Sequence, residues 1–306
     1  PWRGGRNAEN LMNIVLIVVL TIGGANIAAP PALQVPNDFN CLRVGSLNIH
    51  CGYTLLFDQN LDLVKQALSV RTDEEAGIEF DIDLDVILLQ EVDTGRLSSY
   101  SVDQVEWLAR ELQMEAAYFP QNEALHGLAI LSRVPIRNVR TQLLSSEGPQ
   151  AGLLYVELAL DENPFHVYNV WLGYQTLDPT GVPAPLEVQD QTRQTEEIEQ
   201  IIVRNHAAEN FESRVVLGGT FNYDRNTALY NFWENETTFY DPLSSLPIET
   251  AKTIYLVDGS SARYDYVWLM NLDASGVGID NNFVASDHRL TIVEVKRTPE
   301  QVCESR

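Results

Sequence analysis

The sequence predicts an α/β (α+β) fold with paired sheets in layers, and three observations carry that prediction. Strand-like runs rich in Val, Ile, Leu and Tyr recur from Leu42 to Val295. Several are apolar on both faces, as strands covered from both sides are. Amphipathic helical patterns fall between them without strict alternation, which favours a layered mixed fold over a strictly wound one. The chain has 306 residues, 45% hydrophobic and 21% charged, a globular rather than a disordered composition. It shows no repeat at a solenoid period and no low-complexity tract.

The elements follow in order. LRVGSLNIH, DVILLQEV, GLAILS, GLLYVELAL, FHVYNVWL, RVVLGG, RYDYVWLM and LTIVEVK read as strands. SVDQVEWLARELQM reads as a helix capped by Ser101, with Val105, Leu108 and Leu112 at helical spacing. LEVQDQTRQTEEIEQIIVRNHA, after Pro183 and Pro185, is a long amphipathic helix, and NTALYNFWENE a shorter one. Residues 37–296 therefore read as one domain without a linker-like break, followed by a tail over 297–306.

The amino-terminal 36 residues differ in kind. No charged residue occurs from Asn10 to Asn37, and residues 11–29, LMNIVLIVVLTIGGANIAA, are mainly apolar. At ~1.5 Å per residue such a helix spans roughly 28 Å, close to the hydrocarbon thickness of a bilayer. A signal peptide, a single anchor and the last span of a longer membrane protein all fit. A buried helix of a soluble protein is the plainer alternative. A chain opening on Pro1 favours the anchor or the last span, which makes 11–29 the expected transmembrane helix. Arg3 and Arg6 would keep its start in the cytoplasm and place the domain on the extracytoplasmic side, periplasmic, extracellular or lumenal.

A formal net charge of −23 opposes long-range attraction to nucleic acid, and no basic stripe offsets it. Phosphate chemistry survives that argument, because a bound cation can supply the positive charge. Cys41, Cys51 and Cys303 have neither CxxC spacing nor a zinc pattern with histidine. Cys41 and Cys303 flank the domain and are placed for one disulfide; three separate thiols are equally open. Asn235-Glu236-Thr237 matches a glycosylation sequon, meaningful only for a eukaryotic source.

Polar residues at strand ends are the candidates for chemistry, since strands hold groups still while loops admit substrate. Asn48 closes the first strand, Glu91 closes DVILLQE, Asn222 follows VLGG, Asp265 lies in RYDYVWL, and Asp287 and His288 precede the last strand. Singly, each has a bland explanation: Glu91 as a solvated end or a partner of Arg96, the asparagines as turn formers, Asp287 as a cap. In this order and at these ends, coincidence becomes a poor account.

The ordered set LNIH, LLQEVD, GLAILSR, LGGTFN, YDYVW and SDH resembles the endonuclease/exonuclease/phosphatase superfamily over nearly all of Leu42 to Val295. The stretch QEVDTGRLSSYSVDQVEWLARELQM, with AGLLYVELAL and FHVYNVWLGYQT, looks closer to one branch. That branch is the C-terminal domain of membrane proteins that remodel GPI-anchor lipids, with its bacterial relatives. The resemblance implies a four-layer αββα sandwich that hydrolyses phosphoesters with Mg²⁺, or with Mn²⁺ or Ca²⁺. By motif, Glu91 would be the metal ligand and Asn48 would help hold metal and phosphate. Asn222 would orient the scissile phosphate. Asp287 would assist the metal or pair with His288, which would contact the phosphate. Asp265 matches the acidic residue of the family's DY motif, which commonly pairs with a histidine. His50, beside Asn48 on the first strand, is expected on the same face and joins the catalytic candidates. His126, in EALHGLAI, is more simply a loop histidine.

Two departures stand out. Most of the family reads G-D-x-N where this chain has Gly219-Thr220-Phe221-Asn222, so one carboxylate is missing. Where many family nucleases place a histidine, this chain has Trp171 at or near the position, and an indole cannot act as a general acid. Asp224 or Asp93 would be nearby substitutes for the lost carboxylate. Tyr53, Trp171, Tyr174 and Trp268 are expected to rim the site. The expectation is a metal-dependent phosphodiester hydrolase acting on a lipid or glycolipid headgroup at a membrane, with nucleic acid disfavoured. A degenerate domain that binds a phosphorylated lipid or a partner protein, and a secreted nuclease, are the alternatives.

Overall fold

The computed structural model describes residues 41–69, 71–73, 78–80, 82–160, 164–174, 185–207, 212–281, 284–297 and 302–303. The predicted helix over 11–29 lies outside them. Among the described residues no helix is long and apolar enough to cross a membrane.

In chain order the elements are β1 (Cys41–Asn48), α1 (Leu61–Ala67), β2 (Arg71–Asp73), β3 (Ile78–Phe80), β4 (Val86–Asp93), α2 (Gln104–Leu112), β5 (Glu115–Asn122), β6 (His126–Ser132), β7 (Ile136–Leu143), β8 (Gly152–Leu158) and β9 (Phe165–Trp171). Then come α3 (Pro185–His206), β10 (Arg214–Thr220), α4 (Ala228–Glu236), β11 (Ile254–Tyr255), β12 (Ser261–Ala262), β13 (Asp265–Met270), β14 (Ala274–Ile279) and β15 (Thr291–Lys296). A six-stranded sheet runs β14-β15-β1-β4-β6-β5 and a five-stranded sheet runs β13-β10-β9-β8-β7. Each carries a parallel pair at its middle, β1 with β4 and β9 with β10, while the flanking pairs are antiparallel.

Alternation along the strands divides the apolar residues into three cores. Val86 and Leu88 of β4 pack against Val156 and Val216 between the sheets. Their neighbours Ile87 and Leu89 face the other way, onto Val64 of α1 and Leu108 of α2. On the second sheet Val215 and Leu217 turn outward to Ile198 of α3 and Trp233 of α4. A period of two sends consecutive residues to opposite faces, so a strand apolar at every position needs cover on both. That is why the sequence yields four layers, helices–sheet–sheet–helices, as expected.

Particular expectations shift. The helix over Gln104–Leu112 is capped by Asp103, whose carboxylate accepts from the Glu106 amide at 3.0 Å, not by Ser101. Cys41 and Cys303 are disulfide-bonded, leaving Cys51 as the free thiol. This clasp ties the first strand of the domain to the segment after the last one.

Candidate active site

At one end of the two sheets the inward-facing positions change from apolar to polar. Following Val44, Leu88, Val167 and Val216 by two or four residues along their strands reaches Asn48, Gln90, Asn169 and Trp171, and Thr220; on the antiparallel β13, Asp265 lies two residues before Val267. The alternation that builds the core therefore also delivers the site. Asn48, Gln90, Asn169, Thr220 and Asp265 are all fully buried. Burial of so many polar groups is tolerated only when their hydrogen bonds are made.

Most of them are. Gln90 donates to Asn169 Oδ1 at 2.8 Å, and Asn169 Nδ2 donates to the carbonyls of Leu89 and Ala129 at 2.8 and 2.9 Å. Above this layer, the backbone amide of His50 donates to Asn48 Oδ1 at 3.0 Å. An amide N–H can only donate, so that bond fixes which end of Asn48 is oxygen. The other end, Nδ2, donates to Glu91 Oε1 at 2.8 Å, and the indole Nε1 of Trp171 donates to the same oxygen at 3.0 Å. Glu91 is half-buried and adopts a φ of 53°, with a register shift between Leu89 and Val92 that turns it out of the regular pleat. Among the described residues no hydrogen bond reaches its Oε2. Arg96, the bland partner for Glu91, pairs instead with Asp93 and Glu123.

The second half of the site is a relay. Thr220 Oγ1 donates to Asp265 Oδ1 at 2.7 Å, and Asp265 Oδ2 meets His288 Nδ1 at 2.7 Å. A hydroxyl has one proton, so the Gln90 oxygen 3.4 Å from Thr220 is not a second acceptor for it. Burial would pull the His288 imidazole down, but Asp265 at hydrogen-bond distance, helped by Asp287 and Glu91, raises it to about 9. His288 is thus a cation at neutral pH, held by Nδ1 with Nε2 left over. Asp287, its sequence neighbour, does not pair with it: Asp287 Oδ1 lies 3.5 Å from His50 Nδ1, a nitrogen that is buried without a hydrogen-bond partner.

His50 corrects one expectation. β1 ends at Asn48, and His50 opens a 3₁₀ turn at a φ of 47°, so it is not a strand residue sharing a face with Asn48. Asn222 also lies past its strand, at a φ of 55°, with Nδ2 donating to the Leu172 carbonyl at 2.7 Å. Asp224, offered as a replacement carboxylate, accepts from the backbone amide of Arg225 through Oδ1 at 2.6 Å. Trp268 is no part of the rim: it is fully buried on the helix-covered face, stacked on Tyr266 at 5.6 Å. Tyr174, half exposed, does stand beside Trp171, ring centroids 6.5 Å apart. The sequence marks Trp171 as a missing acid and as a rim aromatic; its position reveals a further role, a donor that holds Glu91.

The donor set fits a hard divalent cation. Glu91 offers a carboxylate oxygen that protein donors leave open, held in place through its other oxygen, and such cations prefer oxygen. A half-buried carboxylate beside buried polar groups also gains from a neutralising charge.

Two sheets packed face to face, with a carboxylate and an aspartate-held histidine at their shared polar end, define a class of phosphoester hydrolase site. The chain belongs to the endonuclease/exonuclease/phosphatase family, whose sequence pattern matches residues 45–288. Members are generally metal-dependent phosphodiesterases, nucleases or phosphatases. The fold is shared with an endonuclease/exonuclease/phosphatase from Beutenbergia cavernae DSM 12333 (TM-score 0.61, 19% identity, 84% of this chain and 72% of that one). It is shared too with the human Nocturnin catalytic domain with bound sulfate (TM-score 0.60, 16% identity, 89% and 100%). A humanized D. rerio TDP2 gives a TM-score of 0.59 at 14% identity, over 84% and 99% of the two chains. No curated protein matches the sequence.

Proposed function

We propose that the protein is a divalent-metal-dependent phosphodiester hydrolase that acts on a lipid or glycolipid headgroup. The carrying observation is the convergence of Glu91, held by Asn48 and Trp171, with the Thr220–Asp265–His288 relay at one mouth. Glu91, with Asn48 orienting it, would hold Mg²⁺ or a similar ion, which when bound supplies positive charge against the charge gathering on the phosphoryl oxygens. His288, cationic and fixed through Nδ1, presents Nε2 to a phosphate oxygen. Asn222 positions the phosphate, and a sulfate bound by Nocturnin is an anion of the same shape. Thr220 has no basic group to offer an attacking water. His50, with Asp287 3.5 Å behind it, is the remaining candidate to take that proton.

Three features support the lipid assignment. The net charge of −23 opposes long duplexes. Leu56 and Phe57, 74% and 66% exposed, stand on the loop beside His50, with the Phe57 ring 5.6 Å from the imidazole. Leu97 and Tyr100 are exposed on a second loop, joined to the first by Tyr53 donating to the Ser98 carbonyl. The Cys41–Cys303 disulfide supports an extracytoplasmic location, where such bonds persist. The apolar stretch over 11–29 supports a membrane tether, in the layout of the proteins that remodel GPI anchors.

The test is hydrolysis of a chromogenic phosphodiester by the full chain, with a phosphoinositide and a DNA duplex as parallel substrates. Chelation should stop turnover and Mg²⁺ or Mn²⁺ restore it. Glu91→Ala, His288→Ala and His50→Ala should each lower kcat by about 10²–10⁴-fold in folded protein. Unchanged rates in Glu91→Ala or His288→Ala would sink the assignment, and preference for the duplex would return the protein to the nucleases. Thr220 in place of the family's carboxylate favours a second reading, a domain that binds a phosphorylated lipid without turnover. Retained headgroup affinity with no product over hours would establish it.

A further inference from the structure

Next to this site lies a second cluster that the proposed reaction does not use. Cys51, in the turn after β1, Asp93, at the end of β4, and His126, at the start of β6, each bring one ligand atom to within 4.8 Å of the others. His126 Nδ1 is 2.8 Å from Asp93 Oδ1 and 3.7 Å from Cys51 Sγ. Three elements meet here because Asp93 and His126 are register partners on adjacent strands. Buried Gln104 of α2 clamps the rest, donating to the Cys51 carbonyl and accepting from the Asp93 amide at 2.9 Å.

These residues make a poor nucleophilic triad. A relay needs Cys51 and Asp93 on different imidazole nitrogens, whereas both address Nδ1. Burial, with Asp93 and Glu91 adding to it, also pushes the Cys51 thiol up, away from the thiolate a nucleophile needs. Convergence on one nitrogen is instead what a common metal ion requires. A tetrahedral ion with bonds of about 2.0–2.3 Å sets its ligand atoms roughly 3.3–3.8 Å apart, so Sγ and Nδ1 already sit at that spacing. Asp93 Oδ1 and Nδ1, now joined by a proton, need to part by roughly half an ångström for the ion to take the proton's place. Asp93 is fully buried, and its Oδ2 has no hydrogen-bond partner; the nearby Ser99 hydroxyl is given to the Arg96 carbonyl at 3.1 Å. Arg96 balances the carboxylate from one side at 3.3 Å, and its other nitrogen is tied to Glu123.

We infer that Cys51, Asp93 and His126 form a second cation site, built for a borderline or soft ion of the Zn²⁺ or Co²⁺ type. A thiolate, an imidazole and a carboxylate are the donors that separate such an ion from Mg²⁺. Three protein ligands leave a coordination position open to solvent or to a ligand entering the neighbouring site. The ligands differ from those proposed for the catalytic ion, so the two sites stand or fall separately.

Titration of metal-free full chain with Co²⁺ tests this by absorbance. One equivalent should bring up a cobalt–thiolate charge-transfer band. Cys51→Ser should abolish the band, and His126→Gln should weaken binding about tenfold or more. Zn²⁺ should displace the band and raise the melting temperature of the parent but not of Cys51→Ser. Glu91→Gln should keep the band while losing hydrolysis, which separates this site from the catalytic one. Absence of a band with excess Co²⁺, or a band that survives Cys51→Ser in a protein with its disulfide intact, overturns the site.

Discussion

His288 carries the sharpest consequence at the scale of single residues. Its imidazole rises from the ordinary 6.5 to about 9 because it is paired with Asp265 in the folded chain. The stabilisation from that pair is fully present below pH 6.5 and is lost as pH climbs through about 9. The melting-temperature advantage of the parent over His288→Asn should therefore shrink between neutral pH and pH 9, and a pH-independent difference would refute the pairing. Hydrolysis should fall over the same alkaline range. Thr220 makes an opposite point. Restoring the family's carboxylate sounds like repair, but Thr220 Oγ1 sits 2.7 Å from Asp265 in a fully buried site. Two carboxylates there share one proton or repel. Thr220→Asp should thus destabilise the protein more at pH 8 than at pH 5, measured by thermal melting. The sequence announced Thr220 as an absence; only its neighbours show that the position now belongs to the Asp265–His288 relay.

At the scale of elements, β10 shows how a strand is made to end at a catalytic turn. Gly219 has a φ of 140°, and a Cβ there would come within 2.0 Å of the Val170 carbonyl oxygen on the parallel neighbour β9. Gly219→Ala must push the two strands apart just where Trp171 and Thr220 are set, and should cost about 2 kcal/mol or more in chemical denaturation. A loss under ~0.5 kcal/mol would mean the strands yield freely. Elements that were legible share one property: the eight strands read from sequence line the interior, where burial forces apolar runs. β5, β7 and β14 of the two main sheets escaped notice, as did the short strands β2, β3, β11 and β12. β7, IRNVRTQL, is exposed or half-exposed at every position, and β14, ASGVGI, carries two glycines, so neither has the pattern burial imposes. They are strands because a neighbour's backbone pairs with them, β8 for β7 and β15 for β14.

At the scale of the molecule, the Cys41–Cys303 bond closes a loop of 262 residues around both sheets. Removing it by Cys303→Ser should lower stability by about 2–4 kcal/mol, chiefly by freeing the unfolded chain. An unchanged denaturation midpoint would show that β1 and β15, paired directly along their length, hold the ends without it. The sequence by itself determined the layered class, most interior strands, three helices and the polar residues at strand ends, because alternation and turn chemistry are local consequences of a chain burying itself on two faces. It could not determine which polar groups meet. Asn48 and Glu91 are 43 positions apart, Glu91 and Trp171 80, and Thr220 and Asp265 45. Their partnerships, the choice of Asp265 over Asp287 for His288, and the gathering of Cys51, Asp93 and His126 depend on strand register and on two sheets packing face to face. Those are properties of the assembled fold, where a residue's partner is set by the order of strands rather than by its distance along the chain.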